Sequence, residues 1–229
     1  MTRPVLDAIR RDIVSGLVAP GAVLELDVLA AAHDVSRIPV REALMTLVGE
    51  GLVDHLPRRG YTVARLAPGE LAELVEVRGS LELAALRVAV SAGGPDDVAA
   101  ARAAHDALGA AAAAGDDRGY HRQSRAFHDA LTRPSAMPRL LGVFARVWDL
   151  TEPYRPMEDL DADEADRLHD DHERMLAAFA ARDADGLLAA AREHHGHLAA
   201  RVRGRAEPAA PDVGAGFRTA RRRPRPAAR

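Results

Sequence analysis

The stretch that most constrains this chain is Val35-Ser36-Arg37-Ile38-Pro39-Val40-Arg41-Glu42-Ala43-Leu44. Pro39 has no N–H to donate, so it fits the first turn of a helix. Ser36 stands where an N-cap hydroxyl belongs. Val40, Leu44, Leu47 and Val48 recur at i, i+4, i+7 and i+8 and predict one apolar face. Arg37 and Arg41 are one turn apart on the same side. Two guanidinium forks at the start of a short helix suit phosphate oxygens and the O6/N7 edge of guanine. On spacing alone, two solvated arginines on an ordinary amphipathic helix fit equally well.

The flanks decide for the first reading. Val28–Asp34 predicts a helix that stops before Val35, so helix, tight turn and Pro-started helix form a helix-turn-helix. Gly51 ends the second helix. Residues 52–56 and 61–64 then alternate as short strands around the turn Pro57-Arg58-Arg59-Gly60. A basic hairpin beside a helix-turn-helix is a wing, able to lie along a phosphate backbone or enter a minor groove. A first helix is expected over residues 4–18, with Pro20-Gly21 turning after it.

After the turn at Leu66-Ala67-Pro68-Gly69 strand signals stop. The expected domains are 1–66 for DNA binding and 67–204 for an all-helical unit, followed by a disordered basic tail over 205–229. The helical unit reads as six helices: from Glu70 to Gly93, from Pro95 to Gly115, about Asp117–Leu131, from Pro138 to before Glu152, about Asp161–Arg182, and Ala184–Arg203 capped by Asp183. On the first, Leu71, Leu74, Val75, Arg78, Leu81, Glu82, Ala85 and Val88 are expected on one face. The fold class is therefore mainly α: a winged helix-turn-helix and an antiparallel bundle of about six helices. Aromatics are 3% of the chain, so close-packed helices suit it better than packed sheets.

Charge and cysteine usage exclude several functions. With no Cys, disulfides and thiol chemistry are absent. The net charge of −3 argues against indiscriminate coating of nucleic acid. All 31 basic residues are Arg, and residues 1–66 hold 8 of them against 8 acids. Basicity in that domain is concentrated in Arg37, Arg41, Arg58 and Arg59 rather than spread. No 18-residue uncharged apolar run and no signal-peptide pattern is present, which predicts a cytoplasmic chain without a membrane partner.

Three histidines of the helical unit draw attention. His128, His172 and His194 each lie on or beside the apolar stripe of a different helix. Converging neutral imidazoles would form an open site for a divalent metal. Core histidines satisfied by interhelical hydrogen bonds fit the same spacing, and His121, His169, His195 and His197 compete for the assignment.

Two family resemblances sharpen these readings. Ile13-Val14-Ser15-Gly16-Leu17, Pro20-Gly21, Leu29-Ala30, Val35-Ser36-Arg37, Pro39-Val40-Arg41-Glu42-Ala43-Leu44, Glu50-Gly51-Leu52-Val53 and Arg58-Arg59-Gly60 resemble the GntR family of bacterial transcription regulators over about residues 4–66. One helix-turn-helix covers only a few base pairs, so a homodimer on a palindromic double-stranded operator is expected. The resemblance implies DNA contacts from Ser36, Arg37, Arg41, Arg58, Arg59 and Gly60. Ile38 departs from the family, which carries a hydroxyl residue there.

Residues 70–203 are similar to the FCD effector domain of the FadR-type subgroup. That similarity rests on Arg78-Gly79-Ser80-Leu81-Glu82, Ala126-Phe127-His128, His172-Glu173-Arg174-Met175-Leu176, Arg182-Asp183 and His194. It implies His128, His172 and His194 as metal ligands and Arg78 as the clamp on a small organic acid. Ser124 occupies the position of the family's ligating carboxylate. A three-His site is neutral in its protein ligands and favours zinc or nickel over magnesium or calcium. The acid would then supply the missing negative charge.

Two other functions are open to the sequence. One is the same regulator with a metal-free pocket for a larger or more apolar effector. The other is a metal-dependent hydrolase with Glu173 or Asp129 as base.

Overall fold

The computed structural model describes residues 2–57, 60–154 and 162–204. The chain divides into two compact units between Arg65 and Leu66.

The N-terminal unit is built from α1 (Thr2–Val14), β1 (Val23–Leu24), α2 (Leu26–His33), α3 (Arg37–Glu50), β2 (Val53–Leu56) and β3 (Gly60–Val63). Val5, Ile9 and Ile13 of α1 bury the helical stripe expected of them against α3, which contributes Val40, Ala43, Leu44 and Leu47. The first helix ends at Val14 rather than near residue 18, because the chain turns at Gly16, whose φ is +67°. Asp34 closes α2 in the left-handed region and Gly51 closes α3 there. The sheet order is β1-β3-β2, antiparallel, with Leu24 and His55 flanking Tyr61 on either side. Strand β1 is two residues long and escaped the sequence reading, since two residues carry no alternation.

The C-terminal unit is helical: α4 (Pro68–Ala92), α5 (Pro95–Ala113), α6 (Asp117–Thr132), α7 (Pro138–Thr151), α8 (Ala162–Ala181) and α9 (Ala184–Gly204). Short 3-10 turns follow α6 and α7. The helix boundaries have chemical causes. Pro68, Pro95 and Pro138 sit in first turns, where a missing N–H costs nothing. Asp116 accepts from the Gly119 N–H and Asp183 from the Gly186 N–H, satisfying helix-end donors.

Helix α4 packs along α9 and α7, α5 against α6 and α8, and α8 against α9. The buried face of α4 runs through Leu71, Val75, Arg78, Glu82, Ala85, Leu86 and Ala89, while Val88 is exposed. Val88 therefore lies off the stripe assigned to it. Over five turns a 3.6-residue period moves the face on to Leu86 and Ala89. Two apolar clusters form this core, one around Phe127, Leu131, Met175 and Phe179, the other around Val75, Tyr120, Leu168 and Leu198. Six histidines, Arg78, two serines, two threonines and three carboxylates are buried among the described residues of this unit. Buried groups of that kind demand partners or ligands. No helix among the described residues is long and apolar enough to cross a membrane.

Candidate functional site

The N-terminal unit presents the start of α3. Arg37, Ile38 and Arg41 are exposed there, Ile38 by 70%. Arg37 pairs with Asp27 of α2. Arg41 borders a surface depression shared with His55, Gly60 and Tyr61 of the hairpin. Gly60 opens β3 with φ +83°, a left-handed conformation that glycine adopts without strain. Ser36 is exposed at the N-cap position, but its hydroxyl makes no capping bond. An N-cap side chain accepts from the N–H of the second or third helical residue. The third is Pro39, which has none. The Ser36 hydroxyl therefore does not cap the helix as expected. Arg58 and Arg59 lie outside the described residues, as does the tail from 205 onward.

In the C-terminal unit His128 of α6, His172 of α8 and His194 of α9 come together. Their ring centroids are 5.1 Å (His128–His172), 4.6 Å (His172–His194) and 5.1 Å (His128–His194) apart. One ring nitrogen from each lies within 4.8 Å of those of the other two. All three side chains are buried. Three of the competing histidines have other neighbours. His121 stands 3.1 Å from Glu152, His197 stands 2.8 Å from Asp171, and His169 stacks on His105.

Each histidine has its own electrostatic setting. His128 Nδ1 donates to Glu82 Oε1 at 2.6 Å, leaving Nε2 as the lone-pair nitrogen, buried and without a hydrogen-bond partner. Burial alone would raise the Glu82 carboxyl, but His128 and His195 outweigh it and hold Glu82 well below the ordinary carboxylate range. His195 Nε2 is 3.2 Å from the other Glu82 oxygen. Neither ring nitrogen of His172 has a hydrogen-bond partner. Burial, and then the neighbouring imidazoles, push His172 well below its ordinary value. His194 Nδ1 stands 3.6 Å from Asp171 Oδ2. Burial takes His194 down to about 3 against the opposing pull of Asp171. His172 and His194 are therefore neutral at pH 7 and carry lone pairs, the form a metal requires.

Arg78 is 1% exposed, with its guanidinium carbon 4.2 Å above the centre of the Trp148 ring. Its Nε and Nη1 have no hydrogen-bond partner. Trp148 in turn donates from Nε1 to Glu152 at 2.7 Å. Ser124 is buried one turn before His128 on the same side of α6. Glu82, Asp171, His195 and Glu152 escaped the sequence reading as site residues. Glu82 left a signal: a carboxylate in the apolar stripe of α4, one turn beyond Arg78, needs a buried partner.

Comparison with known proteins matches residues 2–63 to the bacterial regulatory proteins of the gntR family and residues 73–197 to the FCD domain. The chain is 30% identical over 209 residues to the transcriptional repressor GlaR of Escherichia coli K12, covering 85% of this chain and 93% of GlaR. The chain belongs to the GntR family. Its FCD domain puts this GntR protein in the FadR-type subgroup, and it is a DNA-binding transcription regulator.

Among solved structures, Escherichia coli McbR/YncC superposes on this GntR chain with a TM-score of 0.79 at 28% identity, covering 88% of this chain and 96% of that one. A GntR regulator from Rhodococcus sp. RHA1 gives 0.76 at 25% identity, covering 90% and 99%. The GntR family and these relatives are transcription regulators rather than enzymes, so the hydrolase reading falls.

Proposed function

We propose that this regulator binds a palindromic operator as a homodimer and releases it when its FCD domain takes up a small carboxylic acid through a divalent metal. The observation that carries the reading is three buried imidazoles, with unpartnered ring nitrogens on His128 and His172, beside the buried and partly unpaired guanidinium of Arg78. Uncompensated buried polar atoms cost about 1–3 kcal/mol each. Ligands repay that cost. The donor set fits a nitrogen-preferring ion such as zinc or nickel, held by His128, His172 and His194. When bound, the ion supplies a positive charge that polarises and attracts a carboxylate.

Charge explains why metal and acid belong together. Among the buried side chains around the site, Arg78 carries one formal positive charge and Glu82, Glu152 and Asp171 carry three negative ones. A lone carboxylate would enter a net negative neighbourhood. A divalent cation cancels that excess, and Arg78 then offers Nε and Nη1 to the acid. Trp148 orients the guanidinium by stacking on it. Glu82 fixes the tautomer of His128 and offsets the ion's charge from behind. This is how a chain with Ser124 in place of a ligating carboxylate can still hold a cation.

On DNA, Arg37 and Arg41 contact bases or phosphates, with Arg58, Arg59 and Gly60 placing the wing. One helix-turn-helix covers a few base pairs, so two copies on a palindrome give a useful site. Repression fits the naming of GlaR and of the gluconate operon repressor of Bacillus subtilis. For the effector to act, it must bind the DNA-competent and DNA-released states unequally.

Thermal unfolding with a panel of short hydroxy- and dicarboxylic acids, with and without zinc, tests the reading. A matching acid at a hundredfold excess over its Kd should stabilise by about 2.7 kcal/mol in the presence of zinc and not after zinc is stripped. Equal stabilisation with and without metal would favour the metal-free pocket instead.

A further inference from the structure

A second group of metal-ligating side chains lies outside the three-His cluster. His105 of α5 and His169 and Glu173 of α8 each offer a ligand atom, all within 4.8 Å of one another. We propose that these three residues form a second, solvent-accessible site for a divalent first-row transition metal at the seam between α5 and α8.

The helices dictate the placement. His169 and Glu173 are i and i+4 on α8, so they share a face one turn apart. His105 is brought to that face by the packing of α5 on α8. Its ring stacks on His169 with centroids 4.2 Å apart and planes 25° apart. His105 is 5% exposed, and its Nε2 has no hydrogen-bond partner. A cation held with the second imidazole and the carboxylate would give this buried imidazole a partner. The exposed Glu173 and half-exposed His169 leave the outer side open to solvent.

The donor set differs from that of the inner cluster. Two imidazoles and one carboxylate carry a negative charge, which three imidazoles do not. That combination with open positions suits zinc, nickel, copper or ferrous iron. Burial, followed by the neighbouring His169, lowers the His105 pKa, so the ring stays neutral and keeps its lone pair. Asp106, exposed beside His105, adds negative potential. The back of the site is firm, with Phe127 and His172 lying against the His105 ring at centroid distances of 5.9 and 6.2 Å. Gly109, one turn further along α5, leaves room for the His169 ring to turn, since even a Cβ there would stand 3.6 Å from Cε1. Adjacent residues of α8 thus serve two sites: His172 faces inward to the three-His cluster and Glu173 outward.

Calorimetric titration with zinc chloride tests the assignment on the full chain. The proteins are wild type, the double variant His169→Gln/Glu173→Gln, and His172→Asn. His169 and Glu173 are not buried, so the double variant should keep its fold, checked by circular dichroism. The double variant should bind one zinc fewer per chain than wild type at micromolar zinc, or bind that equivalent at least roughly tenfold more weakly. The His172→Asn protein should retain this outer equivalent. Should the inner cluster bind no metal, wild type would bind one zinc and the double variant none, so failure of the two sites can be told apart. Identical stoichiometry and affinity in wild type and the double variant would overturn the outer site, leaving a stacked histidine pair beside a solvated glutamate.

Discussion

His128 Nδ1 and Glu82 Oε1 are 2.6 Å apart, and both side chains are buried. The carboxylate accepts the Nδ1 proton, which fixes the tautomer and leaves Nε2 for a ligand. A carboxylate behind a ligating imidazole raises its basicity and holds its ring plane. Glu82→Gln keeps the shape and the acceptor oxygen but removes the charge. Zinc affinity should fall roughly 10–100-fold, with little change in helix content. Competition against a chromophoric chelator measures this, and unchanged affinity would remove Glu82 from the site.

Gly79 lies one turn before Leu83 on α4 with its Cα against His195. A Cβ built there would meet His195 Cγ at 2.9 Å and Cδ2 at 3.1 Å. Those atoms are the root of a buried ring, not the end of a flexible side chain. Gly79→Ala gains about 1 kcal/mol of helix propensity but incurs overpacking strain of roughly 1–3 kcal/mol. The expected net result is a loss of about 0–2 kcal/mol in urea unfolding. Displacing His195 should also weaken its contact with Glu82 and hence zinc binding. A stabilised Gly79→Ala protein would contradict this packing.

Arg37 and Arg41 should not contribute equally to DNA binding. Arg37 already pairs with Asp27 in the free protein, whereas Arg41 faces the hairpin side of α3. The Arg37–Asp27 pair is exposed and adds only about 0–1 kcal/mol to stability. An Arg37 that turns to DNA would have to leave that pair. Arg41→Ala should cost roughly 1–3 kcal/mol in operator affinity at fixed salt if Arg41 reads a base. Arg37→Ala should cost less, and Asp27→Asn should strengthen binding by freeing Arg37. Gel-shift titrations of the three variants check the order.

The Tyr120 phenol is buried, which pushes its pKa up to about 12. The unfolded chain ionises its tyrosines near pH 10. Between these values the unfolded state has lost a proton that the folded state keeps, so stability is intact below pH 10 and falls as pH rises towards 12. The shift corresponds to at most about 3 kcal/mol. The chain has no Lys and no Cys to titrate in this window. Tyr120→Phe should flatten the alkaline decline in unfolding free energy. An equally steep decline in the variant would place its origin elsewhere.

The fold was largely legible in the chain because its punctuation is strong. Pro95 and Pro138 open helices, Asp183 caps one and Gly51 closes one, each at the position its chemistry dictates. What escaped was small or cumulative. The two-residue strand Val23–Leu24 has no period to read, and the drift of the α4 face past Val88 appears only over several turns.

The site was half legible. His128, His172 and His194 could be placed on apolar stripes, but spacing could not separate them from His121, His169, His195 and His197. Tertiary placement separates them: the rings of His128, His172 and His194 converge, while Glu82, Glu152 and Asp171 stand against His195, His121 and His197. Those carboxylates come from other helices, up to 113 positions away in the case of Glu82 and His195. No local pattern encodes a pairing of that range.

Anomalous diffraction at the zinc edge, on crystals of the full chain grown with zinc, decides whether the three histidines hold a metal. A peak is expected that is enclosed by His128, His172 and His194, with one nitrogen of each about 2.0–2.1 Å from the ion. If instead zinc appears elsewhere, or not at all, while these three rings keep their unpartnered nitrogens, the cluster is structural and the metal-linked switch is wrong.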